Sequence, residues 1–217
     1  MAVSSELVLQ SSDLEKLSVP KVERRWETYN HLFGIKDLKN IYLAMRHGES
    51  EANTRRITAS NPAYALCSFG LTDFGIRQVC ASINAQSFLD SSTIICCSDL
   101  LRAKQSAEIA ANELGVSDLF ITPWLRERFF GDFDALDYVE YFHHIHRRDN
   151  EDPISSYCNC ESVVSVQKRL SEGILQCEKE FSGKKILLVS HHDAIQILEC
   201  VFSKTSPGFY AGSPDAP

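Results

Sequence analysis

Leu43-Ala44-Met45-Arg46-His47-Gly48-Glu49-Ser50 sets an arginine, a histidine and a glycine in a row at the end of a short apolar run. That run, Ile41 to Met45, reads as a buried strand. Open α/β sheets bind ligands just outside the carboxyl ends of their strands. A histidine there is placed to act as a nucleophile, and an adjacent arginine to hold an anion.

Outward from this stretch the chain alternates strand and helix. Thr72–Phe88 reads as a helix with Thr72 as N-cap. Thr93–Cys97 is a second strand, Leu101–Leu114 a helix ended by Gly115, and Phe120–Thr122 a short strand before Pro123. Ser162–Glu180 is a long helix, Lys185–Ser190 a further core strand, and Ala194–Phe202 a last helix. The alternation predicts an α/β fold, a three-layer α/β/α sandwich around a mostly parallel central sheet. Ahead of it, Val22, Trp26, Tyr29 and Phe33 fall at helical spacing, so Lys21–Phe33 reads as an amphipathic helix closed by Gly34. Residues 1–40 read as an N-terminal extension, 41–204 as the main domain and 205–217 as an irregular tail. The tail, from Thr205-Ser206-Pro207-Gly208 onward, has little strand character, which predicts a sheet with an unpaired edge.

A chain of 217 residues suits one domain with a substantial core. No apolar run approaches the roughly 18 residues that span a membrane. Glu6, Asp13, Glu15 and Lys16 interrupt the first 20 residues, which is no secretory signal, so a cytoplasmic location is expected. In that setting the eight cysteines read as reduced. Neither Cys158-x-Cys160 nor Cys96-Cys97 has the spacing of zinc knuckles. His143, His144 and His146 have no carboxylate or thiolate set arranged with them. They read as a solvated helix face or a pH-sensitive lid, and no metal is expected. A net charge of −7 argues against nucleic acid as the main partner. It is compatible with a phosphate substrate, because a few local arginines and histidines focus an attractive field in a cleft.

Further motifs follow in order. They are Gly70-Leu71-Thr72-Asp73-Phe74-Gly75, Cys97-Ser98-Asp99-Leu100-Leu101-Arg102-Ala103, Leu125-Arg126-Glu127-Arg128-Phe129, Cys160-Glu161-Ser162 ahead of Arg169, and Leu187-Leu188-Val189-Ser190-His191-His192-Asp193. Together with the opening stretch they resemble the histidine phosphatase superfamily, also called phosphoglycerate-mutase-like, from about Ile41 to Leu198. The resemblance implies transfer of a phosphoryl group from a phosphomonoester to a histidine and then to water, with no cofactor and no metal. The implied substrate is a small phosphorylated molecule or a phosphoprotein.

The resemblance also assigns roles. His47 matches the nucleophile. Arg46 and Arg102 match the phosphate-gripping arginines, whose planar forks fit phosphate oxygens. His191 matches the second histidine that hydrogen-bonds the phosphoryl group. Glu127 matches the acid that protonates the leaving group, with Asp132 and Asp134 near enough to substitute for it. Asn53 falls where a polar residue stands near the phosphate. Arg128 is placed either to reach an anionic substrate or to form a surface salt bridge. Ser98 and Ser190, at strand ends, are candidate hydrogen-bond donors or caps.

The chain departs from the family pattern at His192, where glycine usually follows the second histidine, and at Cys160, which replaces a common glycine. Asp132–Asn159, the least regular stretch, falls where the family covers its active site. It is shorter than in the glycolytic mutases, which favours water as acceptor. A phosphoglycerate mutase and a noncatalytic phosphate-binding protein on the same fold are the competing functions.

Overall fold

The computed structural model describes residues 25–208. Four strands form one sheet: β1 (Ile41–Arg46), β2 (Ile94–Ser98), β3 (Leu119–Thr122) and β4 (Lys185–Ser190). Their order is β1-β4-β2-β3, and every pairing is parallel. Parallel neighbours need crossovers, and helices supply them. These are α1 (Asp73–Asn84), α2 (Leu101–Leu114), α3 (Val163–Glu180) and α4 (His192–Ser203).

Alternate residues of each strand feed two cores. Ile186 and Leu188 of β4 pack with Cys96 under α3 and α4. Leu187 and Val189 pack with Ile95 and Cys97 under α1 and α2. A central strand buried on both faces accounts for the unbroken apolar run Ile186–Val189. The predicted α/β/α layering is therefore the observed one. Among the described residues β1 and β3 are the sheet edges; Ile41 and Ile121 are exposed on them. Residues 209–217, most of the tail, lie outside the described residues.

Most element limits follow their caps. Thr72 Oγ1 accepts from the Gly75 amide at the start of α1, and Ser162 Oγ from the Ser165 amide at the start of α3. Gly115 closes α2 in the left-handed conformation, φ 70°. Helix α1 stops at Asn84 rather than Phe88, because the chain turns so that Leu89 enters the core and Asp90 collects the Ser92 amide and the Lys185 ammonium. Helix α4 begins at His192, two residues earlier than its apolar pattern indicates.

Two expectations need correction. The amphipathic helix over Lys21–Phe33 is, within the described residues, a single 3-10 turn at Arg25–Tyr29. Tertiary contacts replace the helical ones there: Asn30 Nδ2 donates to the Val201 carbonyl and the His31 amide to Ser171 Oγ, so this segment straps α3 to α4. Residues 21–24 lie outside the described residues. The stretch expected to be least regular is helical from Tyr138 to Glu151, with a π-helical turn at Phe142–His146. Asp137 starts it by accepting from the Val139 amide. The segment covers the carboxyl ends of the strands.

All eight cysteines are free thiols. Among the described residues, no helix is long and apolar enough to cross a membrane.

Candidate active site

Sheet register alone sets the two histidines side by side. Arg46 at the end of β1 pairs with Ser190 at the end of β4. His47 and His191 each follow by one residue, and the His47 amide donates to the Ser190 carbonyl. Their rings lie 5.1 Å apart, centre to centre. Ser98, at the end of β2, places its hydroxyl 2.9 Å from His191 Nε2.

Glycine is required in the loop after His47. A Cβ on Gly48 would stand 2.4 Å from the Gly75 carbonyl oxygen, and one on Gly75 would stand 2.1 Å from the Glu49 carbonyl oxygen. The two glycines let the Arg-His-Gly loop press onto the first turn of α1. Gln78 holds it there by accepting from the Glu49 amide.

His47 is buried, and its two ring nitrogens have separate partners. Nδ1 donates to the Gly48 carbonyl at 2.7 Å, which leaves the lone pair on Nε2. The Nε–H of Arg102 donates to that lone pair at 3.0 Å. Burial, then the charges of Arg102 and Arg46, hold the imidazole pKa well below its usual 6.5. Burial acts the same way on His191, with Arg102 and His47 adding to it. Both rings are therefore neutral at neutral pH.

Arg102 is fixed on the first turn of α2, and its guanidinium is buried. Burial lowers its pKa to about 10, against an opposing pull from Glu127. It remains charged at neutral pH. Its Nη1 and the Nδ1 of His191 are both buried without a protein partner. Arg46 is exposed at the same mouth.

Glu127 reaches the site from the loop after β3. Its Oε1 accepts from the Arg128 amide at 2.9 Å and from the Ala194 amide, in the first turn of α4, at 3.1 Å. Burial raises its carboxyl above the ordinary carboxylate range, and Asp193 beside it pushes the same way. The loop itself is held by Arg169 of α3, which donates to the carbonyls of Trp124, Arg126 and Glu127. Glu161 fixes Arg169 with contacts of 2.9 and 3.0 Å.

A cavity of about 620 Å³ opens over these groups, lined by Arg46, His47, Asn53, Arg102 and Glu127 among others. Asn53 Oδ1 accepts from the amide and hydroxyl of Ser50, so only its Nδ2 is left for the cavity. His191 is fully buried beside His47 and is not among the residues that line the cavity. Asp134 is taken up by Ser60, Asn61 and Tyr64, and Asp132 by Asn159, so neither stands in for Glu127. Ser190 donates to the Leu125 carbonyl.

Arg128 is not brought to the cavity. It is fully buried beneath it, bound to Asp149 at 2.5 and 2.9 Å, to the Tyr141 hydroxyl and to the Glu161 carbonyl. It reaches neither substrate nor surface, and it ties the covering segment to the sheet. The three clustered histidines diverge. His143 is exposed, His144 stacks on Phe133, and His146 packs edge-on against Phe142.

Sequence reasoning gave no site role to Asp193 or Tyr141, both of which line the cavity; His192, singled out as a departure from the family pattern, lines it as well. Asp193 had a signal, since acidic residues favour the first turn of a helix. Tyr141 had none, because its place depends on a long-range bond to Asp193 at 2.7 Å.

Known proteins share this arrangement of elements. The alpha-ribazole phosphatase of Shigella flexneri superposes with a TM-score of 0.62 at 22% identity, covering 78% of this chain and 82% of that one. Bacillus stearothermophilus YhfR gives 0.66 at 19% identity, over 81% and 85%. At such identities the likeness carries the fold. In sequence, the Bacillus subtilis (strain 168) protein named uncharacterized phosphatase PhoE is 28% identical over 164 residues, 75% of this chain and 77% of its own length. The pattern of the histidine phosphatase superfamily (branch 1) matches residues 41–212, which span all four strands and every residue placed in the cavity. The chain belongs to the histidine phosphatase superfamily.

Proposed function

We propose that this chain is a phosphatase that hydrolyses a phosphomonoester through a phosphohistidine on His47, without a metal. The observation that carries the reading is the pair of bonds on the His47 ring. The Gly48 carbonyl fixes the tautomer, and Arg102 marks Nε2 as the reactive atom.

In the first step Nε2 attacks phosphorus, the bond to the substrate's ester oxygen breaks, and that oxygen takes the proton of Glu127. The raised carboxyl pKa suits Glu127 to arrive protonated. Arg46 and Arg102 hold the phosphoryl oxygens and supply the fixed positive charge. The Leu100 amide donates to Ser98 Oγ, which frees the serine hydrogen for His191 Nε2. The ring proton then sits on Nδ1, as a further donor to the phosphoryl group. In the second step Glu127, now a carboxylate, takes a proton from water as the water oxygen attacks phosphorus. The N–P bond breaks and neutral His47 returns.

The test is phosphate release from a panel of phosphomonoesters in the presence of a chelator, beside His47→Ala. Release that is lost in the variant, together with an acid-labile phosphoenzyme on His47, is the expected result. Interconversion of phosphoglycerate isomers without release would make it a mutase. Binding without turnover would make it a phosphate-binding protein.

A further inference from the structure

The cavity is far larger than a phosphoryl group needs, and its walls differ. One end carries Arg46, Arg102 and His47. The covering segment, with Phe130 just ahead of it, supplies a continuous aromatic wall. Phe130 lies 4.5 Å from Tyr141, Tyr141 lies 5.8 Å from Phe142, and Phe142 lies 6.0 Å from Tyr138, all edge to face. All four line the cavity, with Ile57 beside them. Tyr141 adds no polar group to that wall, since its hydroxyl is bonded to Asp193 and Arg128.

A third cation in the lining, Arg56, has a competing partner. Its guanidinium sits 3.9 Å from the Asp137 carboxylate and lies over the Tyr138 ring. The lining cation beside the aromatic wall is therefore one exposed arginine, partly offset by Asp137. A second phosphate or a carboxylate meets there a single solvent-screened arginine that already faces a carboxylate, while a flat apolar group finds a matching surface. A volume of about 620 Å³ is in the range of pockets that enclose an organic ligand.

We propose that this site selects phosphomonoesters whose alcohol carries an aromatic ring a short distance from the phosphate, with the ring seated against Phe130, Tyr138 and Phe142. This rests on the phosphatase reading above and adds the class of substrate to it.

The test compares 2-phenylethyl phosphate with ethyl phosphate and glycerol 3-phosphate. All three release an alkyl alcohol, so differences report recognition rather than leaving-group chemistry. The phenylethyl ester is expected to exceed ethyl phosphate in kcat/KM by about thirtyfold, the scale of filling an apolar pocket. Phe142→Ala and, separately, Tyr138→Ala are expected to shrink that ratio at least threefold. Equal kcat/KM for the phenylethyl and ethyl esters, or a preference for glycerol 3-phosphate, overturns the inference and leaves the phosphatase reading standing. If no ester is hydrolysed, the phosphatase reading fails, and calorimetry with 2-phenylethylphosphonate and ethylphosphonate decides the inference. Tighter binding of the phenyl compound supports it, and equal binding overturns it.

Discussion

The Nε–H of Arg102 lies 3.0 Å from Nε2 of His47, with both side chains buried. The contact aims a guanidinium at the atom that reacts, and the fold carries a cost for it. Burial lowers the Arg102 pKa to about 10, and Nη1 has no protein partner. Activity and stability therefore pull in opposite directions at this residue. Arg102→Met is expected to lower kcat/KM about a hundredfold to a thousandfold. It is also expected to raise folding stability by about 1 kcal/mol, because removal of a desolvated cation with an unpaired donor outweighs the loss of the bond to His47 Nε2. Steady-state kinetics and urea unfolding on the same preparations check both. Loss of activity and stability together would mean that Arg102 holds the fold.

The pH profile follows from two opposite shifts. His47 must be neutral to attack, and its pKa is pushed well below 6.5 by burial and by Arg102. Activity falls only when pH drops through that lowered value. Glu127 must be protonated for the first step, and burial raises its pKa above 4.5. Activity falls again as pH rises through that raised value. A bell in kcat/KM is expected, with its acid limb set by His47 and its alkaline limb by Glu127. In Glu127→Gln the alkaline limb assigned to this carboxyl should disappear, with an alkyl phosphate suffering more than a nitrophenyl ester, whose leaving group needs no proton. An unchanged alkaline limb would remove Glu127 from the role of acid.

The parallel sheet was legible because buried strands and amphipathic helices have different periods. Ile186–Val189 is apolar on both faces, and only a central parallel strand needs that. The site was legible where register does the placing, since His47 and His191 each follow a paired strand end. Arg128 was not legible. The charged residues before it, Arg126 and Glu127, suggest a surface, whereas its partner Asp149 stands 21 residues away on the covering segment. The helix expected over Lys21–Phe33 failed for a related reason. Its spacing is helical, but Asn30 bonds to Val201, 171 residues away, and long-range partners leave no local signal.

His146 makes stability depend on pH in a defined window. Burial lowers its pKa to about 4, Arg128 and His192 add to the effect, and Asp149 opposes it. The unfolded chain takes up this proton near pH 6.5, and the folded chain does so only near 4. The unfolded state therefore binds more protons between those values, and stability falls as pH drops from about 6.5 towards 4. His47 and His191 act in the same direction. In His146→Phe, where a ring still packs on Phe142, the loss of Tm between pH 7 and pH 5 should be smaller than in the unaltered protein. Thermal unfolding at the two pH values measures it. An equal loss would mean that His146 is hydrated and titrates normally.

The Arg128–Asp149 pair ties the covering segment to the loop that carries Glu127. Both side chains are fully buried. Arg128 also binds Tyr141, which binds Asp193 next to Ala194, whose amide holds Glu127. Removing one partner leaves an uncompensated charge, so Asp149→Leu should lose about 3–5 kcal/mol in urea unfolding. Arg128→Met combined with Asp149→Leu should recover most of that loss, because an apolar pair of similar size removes both charges. The Tyr141 hydroxyl then keeps Asp193 as its partner but loses the fork of Arg128. The double variant is accordingly expected to fold with a raised KM and a smaller change in kcat. A double variant as unstable as Asp149→Leu alone would show that packing at this position, rather than the buried charge, sets the stability.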